Sequence, residues 1–136
     1  MKRCLVDTGA LVALLDRADF HHAWAVDCFK ILAPPLITCE CVLAETLHLL
    51  SDLSPSVTAL IRLYTDGIVR VGFDFEEHAP AVWRLVQKYS DLPMDLADAC
   101  LVRMTELYTD CLVWTTDAHF RVYRRHGRQA IPLLSP

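Results

Sequence analysis

The segment DLPMDLADACLV, residues 91–102, combines a helix-like apolar run with the three acids Asp91, Asp95 and Asp98. It contains no Lys or Arg that could pair with them. Burying a carboxylate is costly unless a partner compensates its charge. Asp95 and Asp98 are three residues apart, which places them on one face of a helix with Cβ atoms roughly 5–6 Å apart. The segment therefore predicts an acidic site that requires a partner from elsewhere.

Three further acids are placed to join the same site. Asp7 directly follows the apolar run RCLV, and Asp117 closely follows CLVWT, and both runs are typical of buried strands. Glu45 lies in the helix-like segment ECVLAETLHLL, and we expect its carboxylate to emerge from a largely apolar face. Ligands of parallel sheets bind beyond the carboxyl ends of the strands. Asp7 and Asp117 are therefore expected to lie at one edge of such a sheet.

Each acid also has a purely structural interpretation. Asp7 and Asp95 are each suited to cap the helix that follows them. Asp117 is suited to stabilise a turn, and Glu45 could pair with an arginine from elsewhere. A shared pocket accounts for all of these placements at once. Because clustered carboxylates repel each other, a hard divalent cation with oxygen ligands, Mg²⁺ or Mn²⁺, is the predicted partner, and it indicates phosphate chemistry.

The elements that must position these acids alternate along the chain. Short apolar strand candidates are separated by amphipathic helical segments, which predicts an α/β three-layer fold with a mainly parallel central sheet. A last strand in AIPLL is expected at an edge, because Pro132 cannot donate to a central ladder. The other predicted strands are 3–7, 36–38, 68–73 and 111–116. The predicted helices are 8–16, 21–33, 40–50, 54–65, 76–89, 93–108 and a short one from 117 to about 126.

Composition limits the class of protein. The chain has 136 residues, of which 54% are hydrophobic and 22% charged, so residues 1–136 are expected to form one domain with a substantial core. A net charge of -4 argues against a general nucleic-acid coat protein, and any nucleic-acid contact must be local. The six cysteines form no CxxC, which indicates free thiols in a reducing compartment. We expect a soluble, cytoplasmic protein without a membrane span.

Four motifs, taken in order, resemble those of the PIN-domain ribonucleases. LVDTGALVALLD resembles their opening strand and helix, and LAETLHLL their central helix with its acid, Glu45. LADACLV is similar to their third acidic motif and selects Asp98, and VWTTDAHF resembles the fourth and selects Asp117, with Thr115 as its hydroxyl neighbour. Asp95 is additional to the minimal pattern. Gly9 stands where many members have Ser.

The motifs cover nearly the whole chain, and its size resembles that of the single-domain VapC-type toxins of toxin–antitoxin pairs. The resemblance implies an endoribonuclease that depends on Mg²⁺ or Mn²⁺, is often a homodimer and is blocked by a cognate antitoxin. One or two ions would activate water and neutralise charge on the in-line transition state, with Thr115 or Thr8 positioning a ligand. The implied metal ligands are Asp7, Glu45, Asp98 and Asp117, with Asp95 as a further candidate.

A basic segment, HFRVYRRHGR at residues 119–128, follows the fourth motif and contains no acid. We expect it near the mouth of the pocket, where it would bind RNA phosphates, with Phe120 or Tyr123 stacking a base. The alternatives are a solvated basic surface and a core position for Phe120. The candidate RNA-binding residues are Arg121, Arg124, Arg125 and Arg128.

Two other classes of protein are compatible with an α/β fold and early acids. A phosphatase of the haloacid-dehalogenase type needs a second Asp two residues after the first, but Gly9 stands there. A phospho-receiver needs a Lys after a late strand, and the only lysines are Lys2, Lys30 and Lys88. A non-catalytic PIN-like module that binds RNA or protein is a further alternative. An RNA-cleavage assay distinguishes it from a ribonuclease.

Overall fold

A five-stranded sheet forms the centre of the computed structural model, which describes residues 2–136. Its strands are β1 (Arg3–Val6), β2 (Leu36–Thr38), β3 (Val69–Val71), β4 (Cys111–Trp114) and β7 (Leu133–Leu134). Strands β5 (Arg124–Arg125) and β6 (Gln129–Ala130) form a separate two-stranded sheet. The helices are α1 (Thr8–Leu15), α2 (His22–Ile31), α3 (Glu40–Leu49), α4 (Ser54–Thr65), α5 (Phe75–Lys88) and α6 (Leu96–Leu107), with a 3₁₀ helix at Ala118–Arg121.

The strand order in the sheet is β3-β2-β1-β4-β7, and every neighbouring pair is parallel. The chain builds outward from β1 in one direction through β2 and β3, and in the other through β4 and β7. The order therefore reverses between β1 and β4, where Val6 is in register with Trp114. Open α/β sheets bind ligands outside the carboxyl ends of the strands at such a reversal. The topology thus marks one crevice as the expected site.

The buried core explains why the central strands read as continuous apolar runs. Leu5 and Val6 in β1 and Val113 and Trp114 in β4 are all fully buried, since helices cover both faces of the sheet. Helices α1 and α3 pack against each other, as do α5 and α6. The predicted α/β fold with a parallel central sheet is confirmed.

Two elements differ from the sequence-based expectation. Helix α6 begins at Leu96 rather than at Pro93, because Asp95 supplies the cap and the preceding residues form a turn. After β4, the helical segment ends at Arg121, and a short antiparallel hairpin of β5 and β6 follows. Its turn uses His126 at φ 52° and Gly127 at φ 77°, a conformation that a continuing helix cannot adopt.

The predicted edge strand and free thiols agree with the structure. Strand β7 lies at the edge of the sheet beside β4. All six cysteines are free, and all but Cys41 are buried. Among residues 2–136, no helix combines the length and the apolar character that crossing a membrane requires.

Candidate active site

Asp7 lies at the end of β1, and each of its two carboxylate oxygens accepts a hydrogen bond from a different residue. Oδ1 accepts a hydrogen bond from the Thr8 backbone nitrogen at 2.8 Å, which caps α1. Oδ2 accepts one from Thr115 Oγ1 at 2.6 Å. The same Thr115 oxygen accepts a hydrogen bond from the Asp117 backbone nitrogen at 2.9 Å. Thr115, which is fully buried, therefore connects the first acid to the loop that carries the last one.

Asp98 lies in the first turn of α6, where a capping box fixes it. Its backbone nitrogen donates to Asp95 Oδ1 at 2.8 Å, and the Asp95 nitrogen donates to Asp98 Oδ2 at 3.4 Å. Tyr123 Oη donates to the same Asp98 oxygen at 3.3 Å. Asp98 is 8% exposed, whereas Asp91 and Asp95 are exposed. Of the three acids in the segment 91–102, only Asp98 is buried.

Asp117, in the loop after β4, is the third acid of the cluster. It caps the 3₁₀ helix by accepting from the His119 backbone nitrogen at 2.9 Å, and its Oδ1 lies 3.2 Å from His119 Nδ1. One carboxylate oxygen from each of Asp7, Asp98 and Asp117 lies within 4.8 Å of the other two. Capping and clustering are therefore not alternatives here, because the same carboxylates do both.

Burial and like charges oppose ionisation of two of these acids. Burial is the main cause that raises the pKa of Asp7 to about 6; hydrogen bonds from Thr115 and Thr8 lower it, while the charges of Asp117 and Asp95 raise it. Burial also raises the pKa of Asp98 to about 8, with the charges of Asp95 and Asp7 as the next causes. The protein without a cation thus holds these carboxylates in an unfavourable state.

The cluster lines a cavity of about 330 Å³. Glu45 and Asp95 also line it, but Glu45 is exposed to solvent. The apolar side chains of Val12 and Leu49 line the same cavity beside Glu45. Asp19, in the turn between α1 and α2, lines the cavity as well and was not predicted. Its only sequence signal is a turn-forming Asp, which is common in loops that bind nothing.

The donor set suits a hard divalent cation. The clustered side chains offer only oxygen ligands, which Mg²⁺ and Mn²⁺ prefer. Thr8 Oγ1, whose residue lines the cavity, is buried and has no hydrogen-bond partner among residues 2–136. A ligand in the cavity would relieve both the repulsion between carboxylates and this unpaired hydroxyl. The residues present therefore fit the ion that the sequence implied.

The basic segment after Asp117 is only partly available to RNA. Arg125 is 6% exposed, and its guanidinium donates to the carbonyl oxygens of Thr105 and Thr109. This burial corrects its predicted role as an RNA ligand. Arg124 is half-buried and donates to backbone carbonyls, whereas Arg121 and Arg128 are exposed.

The two aromatic side chains of this segment are also buried. Phe120 and Tyr123 are both fully buried, and their rings pack edge to face with centroids 5.2 Å apart. Neither ring has a free face for a base, so the expected stacking role is wrong for both. The hydrophobic periodicity of a short irregular segment could not separate inward from outward residues.

A parallel α/β sheet with three clustered carboxylates at its strand reversal is an arrangement that can hold a divalent cation. The sequence model of the PIN domain matches residues 4–125, and the chain therefore belongs to the PIN domain family. It is similar to Ribonuclease VapC26 of Mycobacterium tuberculosis (strain ATCC 25618 / H37Rv), with 28% identity over 126 residues that cover 90% of this chain and 93% of that protein. The prediction of a PIN-domain ribonuclease of the VapC type is confirmed.

A solved structure supports the same fold. The crystal structure of Mycobacterium tuberculosis VapC20, described as a Sarcin-Ricin loop cleaving toxin, superimposes with a TM-score of 0.74 over 84% of this chain and 89% of that one. The two sequences are 20% identical, so this likeness concerns the fold.

Proposed function

We propose that this chain hydrolyses phosphodiester bonds in RNA with the help of Mg²⁺ or Mn²⁺ held by Asp7, Asp98 and Asp117. One observation carries the proposal: these three acids, from three separate elements, bring carboxylate oxygens within 4.8 Å of one another. Glu45 and Asp95 line the same cavity and are the further candidate ligands.

The bound cation would supply two kinds of chemistry, a lowered pKa for a coordinated water and neutralisation of charge on the scissile phosphate. The chain's own residues hold the carboxylates in place for it. Thr115 orients Asp7 through a 2.6 Å hydrogen bond, and Tyr123 orients Asp98 from the other side. The side chains that line the cavity include no Ser, Cys or Lys, and no His that could activate Thr8 or Thr116 as a covalent nucleophile, which favours attack by water.

The proposed biological setting follows the relatives. One is named a ribonuclease and the other a toxin, which supports an RNA substrate and the toxin part of a toxin–antitoxin pair for this chain. A cognate antitoxin that blocks the cavity, a homodimer and a cytoplasmic location complete the proposal. Co-purification with the product of the adjacent gene and light scattering of the pure protein test the first two of these.

Cleavage of single-stranded RNA by purified protein tests the activity. We expect cleavage with Mg²⁺ or Mn²⁺, none with EDTA, and recovery when the metal is restored. Asp98→Asn should reduce turnover by more than the roughly 10- to 100-fold that loss of an outer partner of a metal costs. The protein should stay folded, because Asn can still accept the hydrogen bond from the Asp95 nitrogen.

Asp95→Asn is the matched control for Asp98→Asn. Asn is as good a helix cap as Asp, and Asp95 is exposed whereas Asp98 is buried. Turnover near that of the wild type would identify Asp95 as a cap alone, and an equal loss in both variants would make it a ligand. Full activity of Asp98→Asn would show that the three-acid site does not take part in RNA cleavage.

A further inference from the structure

The turn between α1 and α2 presents an aromatic ring to solvent. Phe20 is 93% exposed, the highest fraction among the exposed large hydrophobic residues from 2 to 136. Among residues 2–136 its one aromatic contact is with His21, whose ring lies nearly perpendicular to it, with centroids 4.9 Å apart and an angle of 88°. This contact covers little of the Phe20 ring, since the residue stays 93% exposed. A nearly bare Phe is unusual, because burial of such a side chain is favourable.

The backbone that carries this ring is well ordered by hydrogen bonds. Asp16 Oδ1 accepts from the Ala18 nitrogen at 2.9 Å, and Asp19 Oδ1 accepts from the His21 nitrogen at 2.8 Å. His22 Nδ1 lies 2.7 Å from the Ala13 carbonyl oxygen and ties the turn back to α1. These hydrogen bonds fix the backbone of the turn, so that ordering this backbone adds little to the entropic cost of binding.

The same turn forms part of the wall of the catalytic cavity. Asp19 lines that cavity, and Phe20 is the next residue, with its Cα about 3.8 Å away. Arg17, on the same turn, is exposed but lines a different cavity, between α1 and the start of α4. An exposed aromatic ring is the feature on which single-strand nucleic-acid binders stack an unpaired base.

We propose that Phe20 is a stacking platform for a nucleobase of the RNA that enters the cavity. The proposal rests on the proposed ribonuclease function and adds to it a subsite for an unpaired base. It also supplies the aromatic contact that Phe120 and Tyr123 cannot make, since both are buried. The recognised substrate is therefore a single-stranded or looped segment, because a base inside a duplex has no free face to offer.

The test measures binding by fluorescence anisotropy to a short single-stranded RNA of mixed sequence. Binding is compared in an Asp98→Asn background so that no cleavage occurs during the measurement. Phe20→Ala should weaken affinity on the order of 10-fold, Phe20→Leu by a similar factor, and Phe20→Trp by little, because only Trp keeps a stacking face. Replacing the stacked base of the RNA with an abasic site should weaken binding to the Asp98→Asn protein by the same factor. It should not weaken binding further when Phe20→Ala is also present.

Ile31→Ala is the matched control, since Ile31 is 79% exposed and lies at the far end of α2, about 14 Å from its start. It should leave RNA affinity unchanged. Unaltered affinity in Phe20→Ala, or parent-like affinity in Phe20→Leu, overturns the stacking proposal. A change in self-association without a change in RNA affinity overturns it too, and assigns Phe20 to a protein interface. Failure of the wild type to cleave RNA with Mn²⁺ counts against the proposed function separately, because this binding comparison does not depend on turnover.

Discussion

The hydroxyl of Tyr123 donates a hydrogen bond to Asp98 Oδ2 across 3.3 Å. Tyr123 is fully buried, and burial together with the charge of Asp98 raises the pKa of its hydroxyl, which keeps the proton in place as a donor. Metal-ligating carboxylates commonly depend on such outer partners for their orientation. The contact therefore connects the segment after β4 to the orientation of an acid on α6.

Tyr123→Phe should weaken Mn²⁺ binding by roughly 10- to 100-fold, because removal of the hydroxyl frees one oxygen of Asp98. The unfolding free energy of the metal-free protein should fall by only about 1 kcal/mol, the net value of one hydrogen bond. Calorimetric titration with Mn²⁺ measures the first effect and urea unfolding in EDTA the second.

Tyr89→Phe provides the matched control for this prediction. The Tyr89 hydroxyl accepts from the Arg124 backbone nitrogen at 3.0 Å and serves none of the clustered acids, and its ring packs on Tyr123 with centroids 5.1 Å apart. This variant should lose stability without losing Mn²⁺ affinity. Equal loss of Mn²⁺ affinity in both variants would reduce the role of Tyr123 to core packing.

Thr115→Val should disturb the site at its other side. Val has nearly the same shape but leaves Asp7 Oδ2 and the Asp117 nitrogen without their shared partner. We expect a loss of about 1–3 kcal/mol in unfolding free energy and a loss of RNA cleavage, both recovered in Thr115→Ser. Thr46→Val is the control, because its buried hydroxyl donates only to the Val42 carbonyl within α3. Cleavage by Thr115→Val at the wild-type rate would contradict the assigned role.

The stability of the metal-free protein should fall between about pH 4 and pH 8. Unfolded Asp titrates near 3.9, whereas the folded pKa is about 6 for Asp7 and about 8 for Asp98. Within this window the folded state binds more protons than the unfolded state, so stability decreases as pH rises and the penalty is complete above pH 8.

Urea unfolding in EDTA from pH 5 to pH 9 checks this sign, with Asp98→Asn as the comparison. The variant lacks the upper titration, so its stability relative to the wild type should increase from pH 5 to about pH 8 and then level off. Addition of Mn²⁺ should raise the wild-type melting temperature, and more strongly at pH 8 than at pH 5, because protons compete for the same oxygens. A difference that stays constant with pH would mean that Asp98 titrates normally.

The basic segment should divide into a surface part and a structural part. Replacing exposed Arg121 and Arg128 with Gln should weaken RNA binding and reduce its slope with log salt by roughly 1.4, if each contacts one phosphate of a single strand. Arg125→Gln should instead destabilise the fold, because it removes the bonds to the Thr105 and Thr109 carbonyls. Salt titration of binding and urea unfolding separate the two effects, and an unchanged salt slope would exclude the surface pair from RNA binding.

The sequence by itself determined the order and type of most elements and the acids at the strand ends. Apolar runs in β1 and β4 indicated buried parallel strands, and the rule that ligands lie beyond their carboxyl ends placed Asp7 and Asp117 together. Motif resemblance singled out Asp98 over Asp95, and only Asp98 is buried. The local sequence pattern was sufficient to predict these strands and acids, because each of them depends on residues that are close in the chain.

Only the tertiary structure decided which side chains of the irregular segments face inward. Tyr123 and Arg125 lie two residues apart and are both buried, one against Asp98 and the other against carbonyls near the end of α6. Glu45 proved exposed, and Asp19 joined the cavity from a turn. Helices and strands have a fixed period that sequence reveals, but a turn or a two-residue strand has none, so the burial of its side chains follows from contacts with residues far away in the chain.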